Sequence, residues 1–451
     1  MNKHKQHVKT ALILAAGRGS RLSAKGTPKP LTPFLGVPLI ERSIRGFRAS
    51  GIQKFVVVTG YKDQEVKEFL FKLSQKLTDV EITSIFNPDW EKGNGTSFLV
   101  GAKIMKENFI LAMCDHIFSK DIIAKVLSFT PPRGGLALLV DTRLKNPVID
   151  QNDATKVVVR HGKIEKIGKD LSTFNSYDTG LFICSKYVYD TVCTEIKVSE
   201  RARASVSKIV EKLAQTDKAL AIKTSKGFWA DLDDKNAFKR AEKALLMLIR
   251  GKAHDGPVAR LLNRPISIRL STLLARTPVT PNQISIFSFL LALFAAFMLS
   301  KNSYFWFAAG GLIAQLASII DGCDGEIARL KWQQTEYGAW LDAVLDRYAD
   351  AFLIAGITWH VANYNMMGNL GWLIGILALA GSLINSYTAD KYDGWMKKRK
   401  KSQRFRLGRD VRIFLVFLSG IFYRPVELLI MLAGIMNTEN IRRMWQLKSA
   451  I

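Results

Sequence analysis

Residues 321–329 read Asp-Gly-Cys-Asp-Gly-Glu-Ile-Ala-Arg, and Gly338, Asp342 and Asp346 follow at intervals of nine, four and four residues. This stretch lies in the most apolar third of the chain. If both parts are helical, Asp321 and Asp324 are i, i+3 neighbours and project from one helix face. Asp342 and Asp346 are i, i+4 neighbours and do the same. Two such helices side by side would bring four carboxylates together.

Four uncompensated carboxylates in an apolar region are costly, so the pattern predicts bound cations. Hard divalent ions with oxygen ligands fit best, and we expect one or two Mg²⁺ ions, with Mn²⁺ as a substitute. Such ions would neutralise a pyrophosphate, while a carboxylate free of full coordination removes a proton from an attacking hydroxyl. Pairing of the carboxylates with Arg329 and Arg347 at helix ends is the alternative interpretation.

The spacing D-x2-D-G-x2-A-R-x8-G-x3-D-x3-D resembles the signature of the CDP-alcohol phosphatidyltransferase family at every fixed position. The resemblance implies transfer of a substituted phosphate from a CDP-alcohol to a second alcohol, with release of CMP. It implies Asp321, Asp324 and Asp342 as metal ligands and Asp346 as ligand or catalytic base. The nucleotide contacts that it implies are Gly325, Ala328, Arg329 and Gly338.

The composition separates two parts of the chain. Its 451 residues are enough for two or three domains, and residues 270–320 contain no Asp or Glu. The net charge of +26 is compatible with nucleic-acid binding, but the densest basic run, 397–401, lies between apolar segments. A cytoplasmic loop against anionic lipid explains it better, so we expect a lipid bilayer and no nucleic acid as partner. The four cysteines form no CxxC pair, which argues against a zinc site.

The apolar runs predict six membrane spans, at about 284–300, 304–320, 339–363, 369–388, 410–423 and 425–436. The amino terminus has no apolar segment of the kind found in signal peptides, so the leading domain is expected in the cytoplasm. Six spans also place the basic loop 391–409 and Arg442 there. We therefore predict a multi-pass protein of the cell membrane with active sites on the cytoplasmic side. The family resemblance implies a homodimer through the membrane domain.

A glycine-rich turn, Gly17-Arg-Gly-Ser-Arg21, follows a short buried strand at 9–16. Its amides, the two arginines and Lys29 can cradle phosphates, although the turn alone could be an ordinary loop. The longer string from Leu14 to Leu31 resembles nucleotidyltransferases that join an NTP to a sugar or polyol phosphate. It implies Lys29 and Arg18 as catalytic residues. The nucleotide contacts that it implies are Ala15, Ala16, Gly17, Arg18, Gly19, Arg21 and Lys29.

Strands and helices alternate after this turn, which predicts a mostly parallel α/β sheet. The predicted elements are a helix at 38–50, a strand at 54–59, a helix at 63–77, a strand at 81–86 and a strand at 108–113. Asn94 and Ser97 open another helix. Local chemistry favours a capping role for them, and the resemblance to cytidylyltransferases favours a position near the nucleotide base.

Asp115 follows the strand at 108–113, at the edge where parallel sheets bind ligands. In the resembled family this position holds the metal of the NTP. The second metal carboxylate is expected from the sequence Trp229-Ala-Asp-Leu-Asp233, in which Asp233 is favoured and Asp231 stays possible. Without the resemblance, 231–234 would be interpreted as a helix N-terminus.

Short alternating runs at 135–141, 156–160, 163–167 and 177–185 predict antiparallel strands over a substrate pocket, with a tight hairpin turn at 161–162. Lys169 and Asp178 are candidate contacts of a phosphorylated alcohol. A solvated lysine and an ordinary strand start are the alternatives.

A helical pattern at 236–249 ends at Gly251, and we place a domain boundary there. The predicted domains are a cytoplasmic nucleotidyltransferase at 1–250, a linker and juxtamembrane helix at 251–276, and a transmembrane phosphotransferase at 277–451. Arg264, Arg269 and Lys391 are candidate phosphate contacts, as is Arg409, and Arg264 and Arg269 could instead reach lipid headgroups. Residues 280–283 are expected to start the first span.

The fold predicted from these resemblances is an α/β, Rossmann-like nucleotidyltransferase domain followed by an all-α six-helix transmembrane domain. The pairing implies a bifunctional transferase: the first domain makes CDP-inositol from CTP and myo-inositol 1-phosphate, and the second uses this CDP-alcohol with another inositol 1-phosphate. Another polyol phosphate or a lipid acceptor is the alternative with the same chemistry. A nucleotide-regulated membrane transporter is the alternative from another class.

Overall fold

The protein is described from a computed structural model. It describes residues 8–19, 21–22, 26–201, 203–249, 256–365, 367–398 and 408–448, without the side chains of 249, 389–398 and 447–448. The predicted domain boundary at 251 and the greater part of the basic run lie outside these residues. The chain forms two compact units, Met1–Met247 and Leu248–Ile451.

The first unit contains strands and helices in alternation. Its strands are β1 (Thr10–Ala15), β2 (Pro33–Phe34), β3 (Val37–Pro38), β4 (Lys54–Thr59), β5 (Glu81–Phe86), β6 (Phe109–Met113), β7 (His116–Phe118), β8 (Leu136–Asp141), β9 (Lys156–Arg160), β10 (Lys163–Gly168), β11 (Ser176–Cys184), β12 (Ala219–Thr224) and β13 (Trp229–Asp231). Its helices are α1 (Leu39–Arg48), α2 (Asp63–Lys76), α3 (Asn94–Ala102), α4 (Lys120–Leu127), α5 (Val188–Glu195), α6 (Val198–Arg201), α7 (Val206–Gln215) and α8 (Lys235–Ile249).

Within the described residues, nine strands form one sheet in the order β5-β4-β1-β6-β11-β8-β12-β10-β9. Strand β1 lies in its interior and is buried along its whole length. Its side chains alternate between the two faces, as a strand covered on both sides requires. Ile13 packs into a core with α1, α2 and α4. Leu12 packs on the opposite face with α3, α5 and α7.

The parallel pairing of β1 with β4 and β6 places their carboxyl ends at one edge of the sheet. Leu14 of β1 is in register with Met113 of β6. The turn that begins at Gly17 and the carboxylate of Asp115 therefore emerge at the same edge, because each follows the last residues of its strand. This register, and not proximity in sequence, brings the two motifs together.

The α/β prediction is confirmed, and the strands at 54–59 and 81–86 have the predicted limits. The region 134–230 was only partly predicted. The four predicted strands pair antiparallel with one another, as expected. Strand β12, which pairs with β8 in parallel, was missed. Helix α7 was also missed, although Val206, Ile209, Val210 and Leu213 recur at helical spacing and are buried. The hairpin at 161–162 is present, with positive φ at His161 and Gly162.

The second unit is helical. Its helices are α9 (Arg264–Ala275), α10 (Pro281–Leu299), α11 (Tyr304–Lys331), α12 (Glu336–Tyr364), α13 (Gly368–Lys398), α14 (Arg409–Phe422) and α15 (Pro425–Lys448). A short π-helical turn, Ala259–Asn263, precedes α9. The start of α10 is as predicted, because Thr280 and Gln283 form a capping box.

Three of the described helices are long and apolar enough to cross a membrane: Pro281–Leu299, Tyr304–Lys331 and Gly368–Thr388. Helix α14 has 14 residues, and the first half of α12 carries Asp342, Asp346 and Asp350. Hydropathy and length alone therefore do not mark these two helices as spans. The count of six spans stays a prediction.

Helices α11 and α14 approach each other at glycines. A Cβ added to Gly311 would lie 3.1 Å from the Cα of Gly420, and one added to Gly420 would lie 3.2 Å from the Cα of Gly311. Small residues at such a crossing let two apolar helices pack with their backbones close together. This contact brings α14 against the helix that carries Asp321 and Asp324.

A buried carboxylate, that of Asp141 at the end of β8, organises the edge of the first unit where β13 begins. Its Oδ2 accepts hydrogen bonds from Arg143 Nη2 at 2.7 Å, Asn146 Nδ2 at 3.1 Å and Trp229 Nε1 at 2.8 Å. The side chain is fully buried. Trp229 opens the strand that carries Asp231, so Asp141 positions this strand and the loop after β8 together.

The substitution Asp141→Asn keeps the shape of this side chain and removes its charge. Hydrogen bonds to a charged group are worth about 1.5–3 kcal/mol, so we expect local opening of β8 and β13 to become easier by about 2 kcal/mol. Hydrogen exchange of peptides covering these strands, measured by mass spectrometry, should quicken on the order of thirtyfold. Asp170→Asn, at an exposed acid, is the matched control. Equal exchange in the two variants would contradict the assigned role.

Candidate active sites

The glycine-rich turn of the first unit opens into a cavity of about 460 Å³. Ala16, Gly17, Gly19 and Lys29 line this cavity. Gly19 has a φ of +68° and packs on the Lys29 side chain without room for a Cβ. A side chain at position 19 would therefore displace Lys29.

The two predicted arginines of the turn lie elsewhere. Arg18 is exposed, with its guanidinium carbon 5.4 Å from the centre of the Tyr61 ring. Arg21 is exposed and pairs with Asp153 at 2.8 Å. Ala15 is the last residue of β1, and Ser20 lies outside the described residues. In this structure, the turn offers the cavity mainly backbone amides and Lys29.

The Lys29 ammonium contacts the carboxylates of Asp115 and Asp233. Burial disfavours the charged lysine, but the two carboxylates outweigh it and raise the pKa of Lys29 above its ordinary value. Burial opposes ionisation of Asp115, which is half-buried, but the same ammonium and His116 outweigh it and hold the pKa of Asp115 below its usual range. Two oxygens that contact one ammonium are also close enough to share a metal ion. The structure thus brings together three of the predicted residues.

His116 also lines this cavity, and the sequence analysis assigned it no role. Its Nδ1 lies 2.8 Å from Asp115 Oδ1, and its Nε2 lies 3.8 Å from Asp231 Oδ2. Burial opposes charging of the ring, but the carboxylates of Asp231 and Asp115 raise the pKa of His116 to about 9. The ring packs against Gly180, whose φ is +72°, and stacks on Trp229. The protonated His116 ring therefore orients the Asp115 carboxylate.

Asp231 faces the same cavity. Burial, with the charges of Asp115 and Asp233 in addition, raises the pKa of Asp231. Its Oδ1 is buried and has no hydrogen-bond partner among the described residues. One ligand atom each of Asp115, His116 and Asp231 lies within 4.8 Å of the others. The oxygens of Asp115, Asp231 and Asp233 are the hard donors that a divalent ion such as Mg²⁺ takes, so the chemistry of this set fits a metal ion.

Asn94 and Ser97 line the cavity, but neither caps α3. The N-cap residue is Gly93, so the capping interpretation is wrong. The Oδ1 of Asn94 accepts a hydrogen bond from Val206 N at 2.9 Å, and Ser97 Oγ accepts one from Asn87 Nδ2 at 2.9 Å. These long-range partners override the local capping preference.

Lys169 and Asp178 also line the cavity. Lys169 Nζ donates to Asp153 Oδ1 at 2.6 Å, so Asp153 links it to Arg21. Asp178 accepts a hydrogen bond from Gly180 N at 2.7 Å. Burial raises the pKa of Asp178 to about 6, with the Gly180 amide opposing the shift. Both predicted contacts therefore share one cavity with Lys29.

In the second unit, α11 and α12 bring Asp321, Asp324 and Asp342 together. One carboxylate oxygen of each lies within 4.8 Å of the others, and we call these three residues the aspartate cluster. Three carboxylate oxygens converging at this distance fit a hard divalent ion. The prediction that each acidic pair lies on a helix is confirmed.

Two serines of α10 orient the aspartate cluster. Ser285 Oγ donates to Asp324 Oδ2 at 2.6 Å, and Ser288 Oγ donates to Asp321 Oδ1 at 3.1 Å. The sequence analysis did not select them. Their i, i+3 spacing inside an apolar helix that faces an acidic one is a signal that could have done so.

Asp346 is not one of the three clustered aspartates, and Arg409 of α14 contacts both Asp346 and Asp321. Arg409 Nη1 lies 2.6 Å from Asp346 Oδ1 and 2.9 Å from Asp321 Oδ2. Arg409 Nε donates to Asp350 Oδ1 at 3.1 Å. Arg412 in turn donates to Asp350 Oδ2 at 2.6 Å. Asp350 and Arg412 were not predicted, since neither belongs to the signature.

The predicted nucleotide contacts lie on the same two helices. Gly325, Ala328 and Arg329 lie in the carboxyl-terminal part of α11 and are neither fully buried nor fully exposed. Gly338 lies in the first turn of α12, where its amide donates to Thr335 Oγ1 at 2.9 Å. A Cβ at Gly338 would lie 3.1 Å from Asn282 Oδ1. A glycine here lets the start of α12 lie close to the first turn of α10.

The predicted phosphate contacts are dispersed. Arg264 is buried and donates to Glu326 Oε1 at 2.6 Å. The reason is that Glu326 is fully buried and needs a donor; Ser267 and Ser271 supply two more. Arg269 is exposed. Lys391 lies in α13, and its side chain is outside the described residues.

The sequence matches two families. The first is the MobA-like NTP transferase domain, over residues 11–160, and the second is the CDP-alcohol phosphatidyltransferase family, over residues 278–438. A bifunctional IPC transferase and DIPP synthase of Rubrobacter xylanophilus is 35% identical over 97% of this chain and 96% of its own length. One from Aquifex aeolicus is 34% identical, over 95% and 96%. The solved inositol-1-phosphate CTP transferase from T. maritima is 25% identical, covering 52% of this chain and 96% of its own, with a TM-score of 0.46.

The two families, and the two clusters of carboxylates beside basic side chains, define a bifunctional transferase with a nucleotidyltransferase domain and a CDP-alcohol phosphotransferase domain. The chain belongs to the family of bifunctional IPC transferases and DIPP synthases. This membership excludes the transporter alternative.

The first site predicts a difference between Asp231 and Asp233. Because Asp115 and Asp233 already converge on one ammonium, Asp233→Asn should weaken Mn²⁺ binding by the first unit more than Asp231→Asn, on the order of tenfold for a lost carboxylate ligand. Titration of Mn²⁺ against the full chain, followed by electron paramagnetic resonance, measures this. Asp234→Asn, which changes the adjacent cap of α8, is the control. A larger effect of Asp231→Asn would reverse the assignment.

Proposed function

We propose that the first unit joins CTP to inositol 1-phosphate, giving CDP-inositol and pyrophosphate. The proposal is supported by the cavity that joins Lys29 and Asp115 to Asn94 and Asp178, and by the names of the near full-length relatives. In this reaction a phosphate oxygen of inositol 1-phosphate attacks the α-phosphorus of CTP, and pyrophosphate leaves. Lys29 and the amides at Gly17 and Gly19 bind the phosphates and neutralise their charge.

Asp115 and Asp233 are the proposed ligands of Mg²⁺ in this unit, with Mn²⁺ as a substitute. Bound there, the ion neutralises charge on the triphosphate. His116 orients Asp115 through its Nδ1, and Asp141 keeps β13 in place through Trp229. Lys169 and Asp178 are the proposed contacts of the inositol phosphate. Arg18 and Arg21 are exposed beside the turn, where they can meet the outer phosphates of CTP.

For the second unit we propose transfer of the inositol phosphate group from CDP-inositol to a second inositol 1-phosphate. A hydroxyl of the acceptor attacks the inositol-bearing β-phosphorus, the bond to CMP breaks, and di-myo-inositol phosphate phosphate forms. The aspartate cluster is the proposed site of Mg²⁺, which lowers the charge on the diphosphate. Asp346, free of the cluster, takes the proton of the attacking hydroxyl. Gly325, Ala328, Arg329 and Gly338 are the proposed surroundings of the CMP part.

We propose further that residues 277–451 are a multi-pass domain of the cell membrane, with both sites on the cytoplasmic side. The three apolar helices and the CDP-alcohol phosphatidyltransferase match support this. Residues 1–250 are the proposed cytoplasmic domain, and 251–276 the linker and juxtamembrane helix. A homodimer through the membrane domain completes the proposal. The second candidate function keeps both chemistries with a lipid acceptor, which the match to a phosphatidyltransferase family favours.

The proposal is tested by incubating detergent-purified protein with Mg²⁺, inositol 1-phosphate and each of the four NTPs. We expect pyrophosphate release with CTP, CDP-inositol as the first product, and a water-soluble phosphodiester as the final one, identified by phosphorus NMR. A preference for UTP or GTP would overturn the assignment of CTP. A product that partitions into chloroform when diacylglycerol-based acceptors are added would favour the lipid acceptor.

The assignment of Asp346 is tested by Asp346→Asn. If this carboxylate is the base, CMP release should fall by a factor of about 10² to 10⁴, the usual contribution of general base catalysis. Pyrophosphate release from CTP, measured on the same preparation, should stay unchanged. The control is Asp410→Asn, which makes the same change at an aspartate in the first turn of α14. Unimpaired CMP release in Asp346→Asn would remove Asp346 from the mechanism.

A further inference from the structure

The loop between β8 and β9, residues 142–155, borders the cavity of the first unit. Residues 148–150 and 153–155 line that cavity. Loops of more than about 12 residues are uncommon in compact domains and are usually functional. We call residues 142–155 the cavity loop. Its contacts with other segments at the cavity therefore bear on the reaction.

The cavity loop is attached in two ways. At its start, Arg143 and Asn146 donate hydrogen bonds to the buried carboxylate of Asp141. Further along, Asp150 and Asp153 form ion pairs with three side chains from other parts of the unit. We call these side chains the rim cations: Arg21 of the glycine-rich turn, Lys169 after β10 and Arg240 of α8. The second half of the loop is therefore attached through charge.

Asp153 joins two of the rim cations. Its Oδ2 accepts a hydrogen bond from Arg21 Nη1 at 2.8 Å, and its Oδ1 accepts one from Lys169 Nζ at 2.6 Å. Arg21 is a proposed contact of the CTP phosphates, and Lys169 is a proposed contact of the inositol phosphate. A phosphate binds arginine and lysine through charged oxygens, as a carboxylate does. Asp153 and the substrate phosphates are therefore alternative partners of the same two cations.

Arg240 has hydrogen-bond donors that the cavity loop does not use. Its Nη2 lies 3.3 Å from Asp150 Oδ2, which is long for a hydrogen bond. Its Nε is buried and has no hydrogen-bond partner among the described residues. Arg240 lines the cavity, and the planar fork of a guanidinium fits the oxygens of a phosphate. Because a buried donor without a partner is costly, a phosphate at this place would be favoured.

The ion pairs of the cavity loop are weak enough to exchange. The side chains of Arg21 and Lys169 are 61% and 52% exposed, and that of Asp153 is 38% exposed. Water screens charges at such exposure, so these pairs add little to stability. A phosphate carries more negative charge than a carboxylate and attracts the same cations more strongly. Substrate phosphates are therefore able to replace the carboxylates of the loop.

We propose that the rim cations bind substrate phosphates, with Arg240 as a phosphate-binding residue that the sequence analysis did not select. The cavity loop competes with the substrate for these cations through Asp150 and Asp153. Binding of substrate then releases the second half of the loop. The assignment of CTP and inositol 1-phosphate to these cations rests on the proposed function, whereas the exchange of carboxylate for phosphate does not.

The variant Asp153→Asn removes the competing charge and keeps the shape of the side chain. We expect KM for CTP and KM for inositol 1-phosphate to fall about two- to fivefold, the range for exposed ion pairs. Pyrophosphate release by the full-length, detergent-purified chain measures both, with one substrate varied at saturating amounts of the other. A disturbed fold would not lower KM, so the direction of the change identifies competition.

Asp170→Asn is the matched control for this variant. Asp170 is an exposed acid beside Lys169 that forms no ion pair with the described residues, so its loss should leave both KM values unchanged. KM values that rise or stay the same in Asp153→Asn would overturn the competition. An equal fall in Asp170→Asn would also overturn it, because the effect would then come from net charge alone.

The variant Arg240→Gln should raise KM on the order of tenfold, as expected for a lost hydrogen bond to a charged group. A rise for CTP assigns Arg240 to the nucleotide phosphates, and a rise for inositol 1-phosphate assigns it to the polyol phosphate. Lys239→Gln, at an exposed lysine of the same helix, is the control and should change neither. Arg240→Lys, which keeps the charge, should recover part of the loss. Unchanged KM values in Arg240→Gln, or no recovery in Arg240→Lys, would remove Arg240 from phosphate binding.

A measurement without nucleotide or inositol separates this inference from the proposed function. Inorganic tripolyphosphate should quicken hydrogen exchange of peptides covering 148–155 by a factor of about two to five, because it takes the rim cations from the loop. Peptides covering β5, at the outer edge of the sheet, are the internal control. Quickened exchange in a protein that releases pyrophosphate from no NTP would defeat the proposed function and leave the inference standing. Pyrophosphate release from CTP with unchanged exchange of 148–155 would defeat the inference and leave the function standing.

Discussion

Like charges held close together in an apolar surrounding are the constraint on which the second unit depends. At a separation of 4.8 Å, two carboxylates repel by on the order of 3–4 kcal/mol at an effective dielectric constant of 20. Folding of α11 against α12 therefore requires donors and cations around the aspartate cluster. Ser285 and Ser288 of α10 supply hydrogen bonds, and Arg409 of α14 supplies charge. Helices α10 and α14 therefore pack around the cluster, because their side chains compensate its negative charge.

The face of α11 that α9 covers also carries a buried carboxylate that must be paired. Glu326, two residues after Asp324, is fully buried, and α9 covers it with Arg264, Ser267 and Ser271. These donors at i, i+3 and i+7 lie on one face of α9. Because a buried carboxylate must be paired, α9 is bound to the helix that carries the signature. The segment expected to lie along a membrane surface is therefore also packed against α11.

In the first unit, the repulsion between neighbouring carboxylates is easier to compensate. Its carboxylates stand at the carboxyl edge of a sheet, beside an open cavity, so Lys29 and His116 can compensate them from one side. A sheet edge also lets residues far apart in sequence converge: Asp115 follows β6, and Asp233 follows β13. Buried Asp141 secures the second of these strands through Trp229. Lys29 itself is buried and is held between the carboxylates of Asp115 and Asp233.

Most of the architecture follows from patterns that neighbours in sequence create. Three features depend on contacts within one helical turn or one strand, which periodicity and composition encode. They are the alternation of strands and helices in 9–113, the carboxylate spacings at 321–346 and the capping residues at 280–283. For the same reason the glycines and acids of both sites could be selected from their spacing. The apolar residues of α7 also recur at helical spacing, but the sequence analysis did not interpret them as a helix.

What no local pattern encodes is which charges meet. Arg264 and Arg409 are both arginines near the signature, yet one binds Glu326 and the other binds Asp321, Asp346 and Asp350. Asn94 likewise bonds to Val206, 112 residues away, in place of its own helix. The sequence by itself determined the two domain types and the candidate residues for binding metal and phosphate, since these depend on residue type and spacing. The tertiary structure decided their partners, because ion pairing depends on distances that exist only once the helices and strands have packed.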